Sequence, residues 1–154
     1  MWPSSFEDRL QEWYALRQQC RDLDLDACMN TINDWWWRAP LINYYLHWDD
    51  RRGWPGPWDL LADNVFCDLA RAVGMLYTVM IIDRDDITGV ELAQTEDDNL
   101  VLVNQGIYVL NWAPGQLLNI ASLPKPPRKF IASDELRHLL GYKNDTDTST
   151  KTRW

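Results

Sequence analysis

The stretch that decides the fold is WPGPWDLLADNVFCDLARAVGMLYTVMIID, residues 54–83. Pro55, Gly56 and Pro57 follow Gly53 and make a stiff, tight turn. Pro57 suits the first position of a helix, where its missing N–H costs nothing. Asp59 falls in the first turn, where negative charge favours the helix dipole. Leu61, Ala62, Val65, Phe66, Leu69, Ala70 and Val73 then recur at helical spacing as a broad apolar face. The spacing predicts one helix from Pro57 to about Val73, with Gly74 as its left-handed stop. Met75 to Ile82 is a continuous apolar run with β-branched residues, and it reads as a central strand covered on both faces. Asp83-Arg84-Asp85-Asp86 closes the stretch as a charged turn.

Toward the N-terminus, Ser4 and Glu7 fit a capping box. Phe6, Leu10, Trp13, Leu16 and Cys20 give an apolar stripe at helical spacing. Asp24 or Asp26 suits the cap of a second helix over residues 25 to 37, with Leu25, Cys28, Met29, Ile32 and Trp36 on one face. The join is short, so the two helices form an antiparallel pair. Pro40 ends the second. Trp35, Trp36 and Trp37 are consecutive, and successive helical residues point about 100° apart, so the three cannot share one face. Residues 41 to 50, LINYYLHWDD, read equally as extended chain or as one more helical turn.

Toward the C-terminus, residues 88 to 94 alternate as a strand. Residues 100–103 and 107–111 flank Asn104-Gln105-Gly106, a hairpin signal. Residues 116 to 120 read as a last strand. Helices come first and strands second, which defines an α+β fold: an N-terminal helical pair, then a central cysteine-bearing helix on an antiparallel sheet of about four to five strands. LPKPPR, residues 123–128, is a polyproline-like arm that either crosses the surface or reaches a partner. A short helix over 134–140 follows, capped by Ser133 and stopped by Gly141. Residues 1–142 read as a single domain and 143–154 as a flexible tail anchored only by Trp154.

The 154 residues are 46% hydrophobic and 25% charged, enough for one domain with a real core. The net charge of −8 argues against a general grip on nucleic acid, which needs a basic face. No run approaches the length of a membrane helix, and MWPSSFEDRL lacks the features of a secretory signal. Secretion by a signal peptide is therefore not expected, and a reducing compartment is. Cys20, Cys28 and Cys67 contain no CxxC pair, which disfavours a disulfide framework and a zinc site. No cofactor or metal is expected, and the acidic turns lack the glycine and distal glutamate of a calcium loop. Ten tryptophans are an unusual share. They fit a tryptophan-rich core or an interface equally; on the interface reading the binding residues are Trp35, Trp36, Trp37, Trp54, Trp58 and Trp154.

Phe66-Cys67-Asp68-Leu69-Ala70, then Ala72-Val73-Gly74-Met75 and a strand, resembles the cysteine helix of transglutaminase-like (papain-like) domains. The resemblance covers residues 57 to 112. It implies Cys67 as nucleophile, followed by a histidine and an acid on the sheet. The chain departs from that pattern, because residues 88 to 112 contain no histidine. The bases that remain are His138 and His47, and Asn111 or Asp98 stands where the acid is wanted. Cys67 is also expected ten residues into its helix, far from the dipole's positive end. A thiol in an apolar helix without a base is a small hydrophobe. The wider arrangement, WPGPWDLLADNVFCDLARAVGMLYT with a hairpin ending YVLNW, is similar to small proteins encoded in tailed-phage genomes. That resemblance implies a virion component or assembly factor whose partners are other protein subunits in a larger assembly. A non-catalytic assembly protein of the neck, tail or baseplate is thus the leading expectation. A cysteine-dependent hydrolase or acyltransferase using Cys67 is the first alternative, and an acidic inhibitor or regulator of a host protein is the second.

Overall fold

The computed structural model describes residues 1–42 and 46–141; the expected tail, with Trp154, lies outside them. Helix α1 (Phe6–Asp22) is capped by Ser5, whose Oγ accepts the Asp8 N–H at 3.1 Å. The cap thus falls one residue later than the capping-box spacing placed it. Helix α2 (Leu25–Trp37) is capped by Asp24, which accepts the Ala27 N–H at 2.8 Å. The two form an antiparallel hairpin: Cys20 lies beside Cys28 at the closed end, and Glu12 meets Trp35 and Arg38 further along.

The 54–83 stretch folds differently from its periodicity. It is two helices, α3 (Pro57–Asp63) and α4 (Asp68–Ile82), broken at Asn64. Asn64 adopts the left-handed conformation (φ 55°), and its Oδ1 accepts the Trp2 indole N–H at 2.8 Å. Asparagine tolerates that conformation better than most residues. Met75 to Ile82 is therefore helix and not strand. Every residue from Leu69 to Val79 is buried. A helix covered on all sides loses its polar face and reads as an uninterrupted apolar run. Gly74 does not stop the helix. It seats Trp36: a Cβ at this position would stand 2.6 Å from the indole ring.

One turn further on, Thr78 pins three helices. Its Oγ accepts the indole N–H of Trp13 on α1 at 2.9 Å and that of Trp36 on α2 at 3.0 Å. It donates to the Gly74 carbonyl at 2.8 Å. A hydroxyl has one donor and two acceptor positions, and here all three are used in a fully buried site.

Five strands follow: β1 (Val90–Gln94), β2 (Asn99–Val103), β3 (Tyr108–Ala113), β4 (Gln116–Leu118) and β5 (Lys129–Ala132). They form one antiparallel sheet in the order β4-β3-β2-β1-β5. The α+β fold, with its helical pair and its central helix on an antiparallel sheet, is thus what the chain adopts. Leu92, Val101, Val103, Leu110 and Ile131 face the helices and share their core. Ala93, Leu100, Leu102 and Val109 make a second cluster on the other face with Trp112, Leu118, Ile120 and Leu123. Since β4 and β5 occupy opposite edges, residues 119–128 must cross that outer face. The Ile120 N–H donates to the Gly106 carbonyl at 2.8 Å, Lys125 reaches Asp97 at 2.7 Å, and the Arg128 N–H donates to the Gln94 carbonyl at 2.7 Å. The proline arm is a strap across the sheet. A 3-10 helix, Ser133–Leu140, completes the described chain.

Thr78→Val keeps the shape and removes the acceptor for two buried indoles. Leaving a buried donor unsatisfied costs about 1–3 kcal/mol each, so a loss of about 2–5 kcal/mol in urea unfolding is expected. Thr78→Ser, which gives up one methyl, is expected to lose only about 1 kcal/mol. Gly74→Ala, a substitution that normally favours a helix, is expected to destabilise by about 1–3 kcal/mol through the clash with Trp36, measured the same way.

Candidate functional site

Cys67 is the cap residue of α4, immediately before Asp68. This corrects the expectation that it lies ten residues into a helix, because the break at Asn64 restarts the helix at the cysteine. The thiol therefore stands at the end of α4 where unpaired N–H groups favour negative charge. Phe66 forms a parallel bridge with Leu41, and the Ile42 N–H donates to the Phe66 carbonyl at 2.8 Å. The same crossing segment brings the Leu46 N–H to 3.5 Å from Cys67 Sγ. Cys67 is 7% exposed.

Behind the thiol lies a polar network that ties α4 to the sheet. Asp68 Oδ2 accepts both the backbone and side-chain N–H groups of Asn99, at 3.1 and 3.0 Å. Its Oδ1 accepts from Arg71 at 3.3 Å and from Asn111 at 3.2 Å. Arg71 Nε donates to Asn111 Oδ1 at 2.7 Å, and the guanidinium carbon stands 3.3 Å over the Trp37 ring. Burial pushes the Arg71 guanidinium below its ordinary value, and Asp68 opposes that shift. Asn111 has a left-handed backbone (φ 71°) where the β3–β4 register shifts. Its N–H is taken by Asn33 Oδ1 at 2.8 Å, while Asn33 donates to the Ala113 carbonyl at 2.9 Å. Thus α2, α4 and two strands, β2 and β3, meet through hydrogen-bonded polar groups. Sequence reasoning named Asn111 but missed Asn33, Asp68, Arg71 and Asn99. The available signal was Arg71 itself, a charge set between Leu69, Ala70, Ala72 and Val73.

The polar contact at the Cys67 sulfur among the described residues is the Leu46 N–H. His138 is exposed on the 3-10 helix. The first turn of that helix, with Ser133 and Asp134, lines a cleft with Val79, Met80, Asp83 and Arg84 at the C-terminal end of α4. The last turn of the 3-10 helix brings the Leu139 carbonyl against Gly56, the cap of α3. His47 is exposed and lines an open cleft of about 450 Å³ with Trp48, Asp49, Asp50, Gln94 and Lys129. Its carbonyl accepts the Trp54 indole N–H at 2.8 Å. Asp98 closes the β1–β2 turn, where its N–H donates to Thr95 Oγ at 2.9 Å. Burial, with the charges of Asp68 and Asp97, pushes its carboxyl up. Among the described residues no group of three or more His, Cys, Asp or Glu is arranged to hold a metal ion. No described helix is long and apolar enough to cross a membrane.

The tryptophans expected to form a binding surface are largely interior. Trp35, Trp36 and Trp54 are buried, and Trp37 is half-buried beneath Arg71. Trp58 is half-buried with its ring edge-on to Trp13, centroids 5.8 Å apart. The reason is hydrogen bonding within the chain. Trp35 donates to Glu12 at 3.1 Å, Trp36 to Thr78 and Trp54 to His47. An indole whose N–H finds an internal partner can be buried. Comparison with protein-family models, with characterised proteins and with solved structures finds no match.

Arg71→Met preserves length and apolar contact but leaves Asn111 Oδ1 without its donor. A stability loss of about 1–3 kcal/mol is expected in urea unfolding. Unchanged stability would show that the network does not hold α4 to the sheet.

Proposed function

We propose that this chain is a non-catalytic structural or assembly protein that acts through contacts with other protein subunits, with the neck, tail or baseplate of a tailed phage as its setting. The observation that carries the first part is the state of the Cys67 end of α4. The sulfur is almost wholly covered and faced by the Leu46 N–H, and the adjoining Asp68 and Arg71 are committed to joining helix and sheet. Such a site holds a scaffold together. The apolar side chains left at the same crossing, Leu41 at 45% and Ile42 at 59% exposure, are adjacent and offer a contact for a partner. The phage setting rests on the resemblance of residues 54–78 and of the YVLNW hairpin to small phage proteins. Quantitative mass spectrometry of purified particles is expected to find the chain at a fixed copy number per particle. Its absence from particles, with a clean monomer at high concentration, would overturn the reading.

The capping position of Cys67 favours a second reading, a cysteine-dependent hydrolase or acyltransferase, since a helix N-terminus is where reactive thiolates are stabilised. Iodoacetamide at neutral pH separates the two. On the scaffold reading Cys67 of the folded chain stays unlabelled until denaturant is added. Rapid, selective labelling of Cys67 in the folded chain would transfer support to the enzyme.

A further inference from the structure

The other two cysteines form a site of their own. Cys20 lies in the last turn of α1 and Cys28 in the first turn of α2, so they face each other at the closed end of the helical hairpin. Both are free thiols with no exposed surface. Cys20 Sγ is 3.8 Å from the Cys28 carbonyl oxygen. Arg84, just after α4, closes the site from the third side. Its Nη1 donates to the Cys20 carbonyl at 2.7 Å and to the Leu23 carbonyl, and its Nη2 pairs with Asp86 at 2.8 Å. The guanidinium is thereby fixed against the closed end of the hairpin. Interaction with Cys20, opposed by burial and helped by the Arg84 charge, brings the Cys28 thiol down, and the same interaction, with burial, pushes the Cys20 thiol up.

We propose that Cys20 and Cys28 are a redox-active pair that closes to a disulfide across the α1–α2 hairpin when the folded chain meets a disulfide oxidant such as oxidised glutathione. One of the two thiols gives its proton to solvent, attacks a glutathione sulfur, forms a mixed disulfide and expels one glutathione thiolate. The other thiol gives up its proton, attacks the protein sulfur of that mixed disulfide and expels the second glutathione. Two S–H bonds are lost and one S–S bond is formed. The two electrons reduce the oxidised glutathione to two thiols. Both sulfurs sit in terminal helical turns, the part of a helix that opens most readily. The chemistry does not depend on the assembly reading.

The test equilibrates the full chain in glutathione buffers of graded ratio, with and without urea. Each sample is acid-quenched and its disulfides are mapped by mass spectrometry. In the folded chain Cys20 and Cys28 are expected to be lost together as one linked peptide, with Cys67 still a thiol. Their effective concentration is expected to exceed that in urea by about tenfold or more, because the fold holds the pair together. An effective concentration equal to or below that of the unfolded chain would overturn the proposal, as would pairing through Cys67. Cys20→Ser and Cys28→Ser are each expected to abolish the linked peptide in the folded chain and to leave Cys67 a thiol; a new link from the remaining cysteine to Cys67 would overturn the pairing.

Discussion

The Thr78 hydroxyl is the point on which the helical layer depends. Burying a tryptophan removes roughly 200 Å² from water, worth about 5 kcal/mol at 25 cal/mol per Å². An indole N–H left without a partner returns about 1–3 kcal/mol of that. Trp13 and Trp36 both escape that loss at one oxygen, and the oxygen's own proton is satisfied by the Gly74 carbonyl within α4. The arrangement requires Trp36 to reach α4 closely, and that requires Gly74 to have no side chain. Four residues on three helices therefore form one constraint. It sets how α1 and α2 lie on α4, and α4 in turn is the surface on which the sheet packs.

That constraint accounts for the part of the fold that was hard to read. The hairpin of α1 and α2, the Asn104–Gly106 turn and the succession of helices then strands all followed from local chemistry: caps, alternation and turn residues. The 54–83 stretch did not, because its signals are tertiary. Gly74 has the composition of a stop, yet its role is to admit a ring from another helix. Asn64 is a stop, yet nothing in its neighbours marks it, since the apolar spacing of Leu61, Val65, Leu69 and Val73 runs straight through the break. Residues 75 to 82 lack a polar face because α1, α2 and the sheet cover them together. Strand β5 was hidden for another reason. KFIA pairs with β1 only because the proline strap delivers it to the far edge of the sheet.

The candidate site shows the same division. Cys67 was legible as the residue to question, but its position was not, since that turns on Asn64. Its covered state was not legible either, since that turns on the Leu41–Leu46 segment crossing the start of α4. Arg71 illustrates why a buried network escapes sequence reading. A lone arginine in an apolar helix can snorkel to solvent or be paired inside. Only the left-handed turn at Asn111, which presents the amide oxygen to the guanidinium, decides for the second. The tryptophan surplus resolves likewise. An indole at an interface and an indole in a core are the same residue until its N–H partner is known.

The three cysteines sharpen what makes a thiol a site. Cys67 has the position that cysteine chemistry favours, the start of a long helix, but the group facing its sulfur is a backbone N–H and the histidines lie on other elements. Cys20 and Cys28 have positions that sequence patterns pass over, near the two ends of a helical turn. What distinguishes them is company: the Cys20 sulfur lies 3.8 Å from the Cys28 carbonyl, and the Arg84 guanidinium is fixed on the Cys20 carbonyl. A nucleophilic thiol requires a proton acceptor or a positive field and a reaction partner at contact distance. A helix end supplies part of the field alone. By that criterion the helical hairpin, with two thiols held at one end, is the place where sulfur chemistry is proposed, while the residues around Cys67 that the structure shows bonded, Asp68, Arg71, Asn99 and Asn111, join helix to sheet.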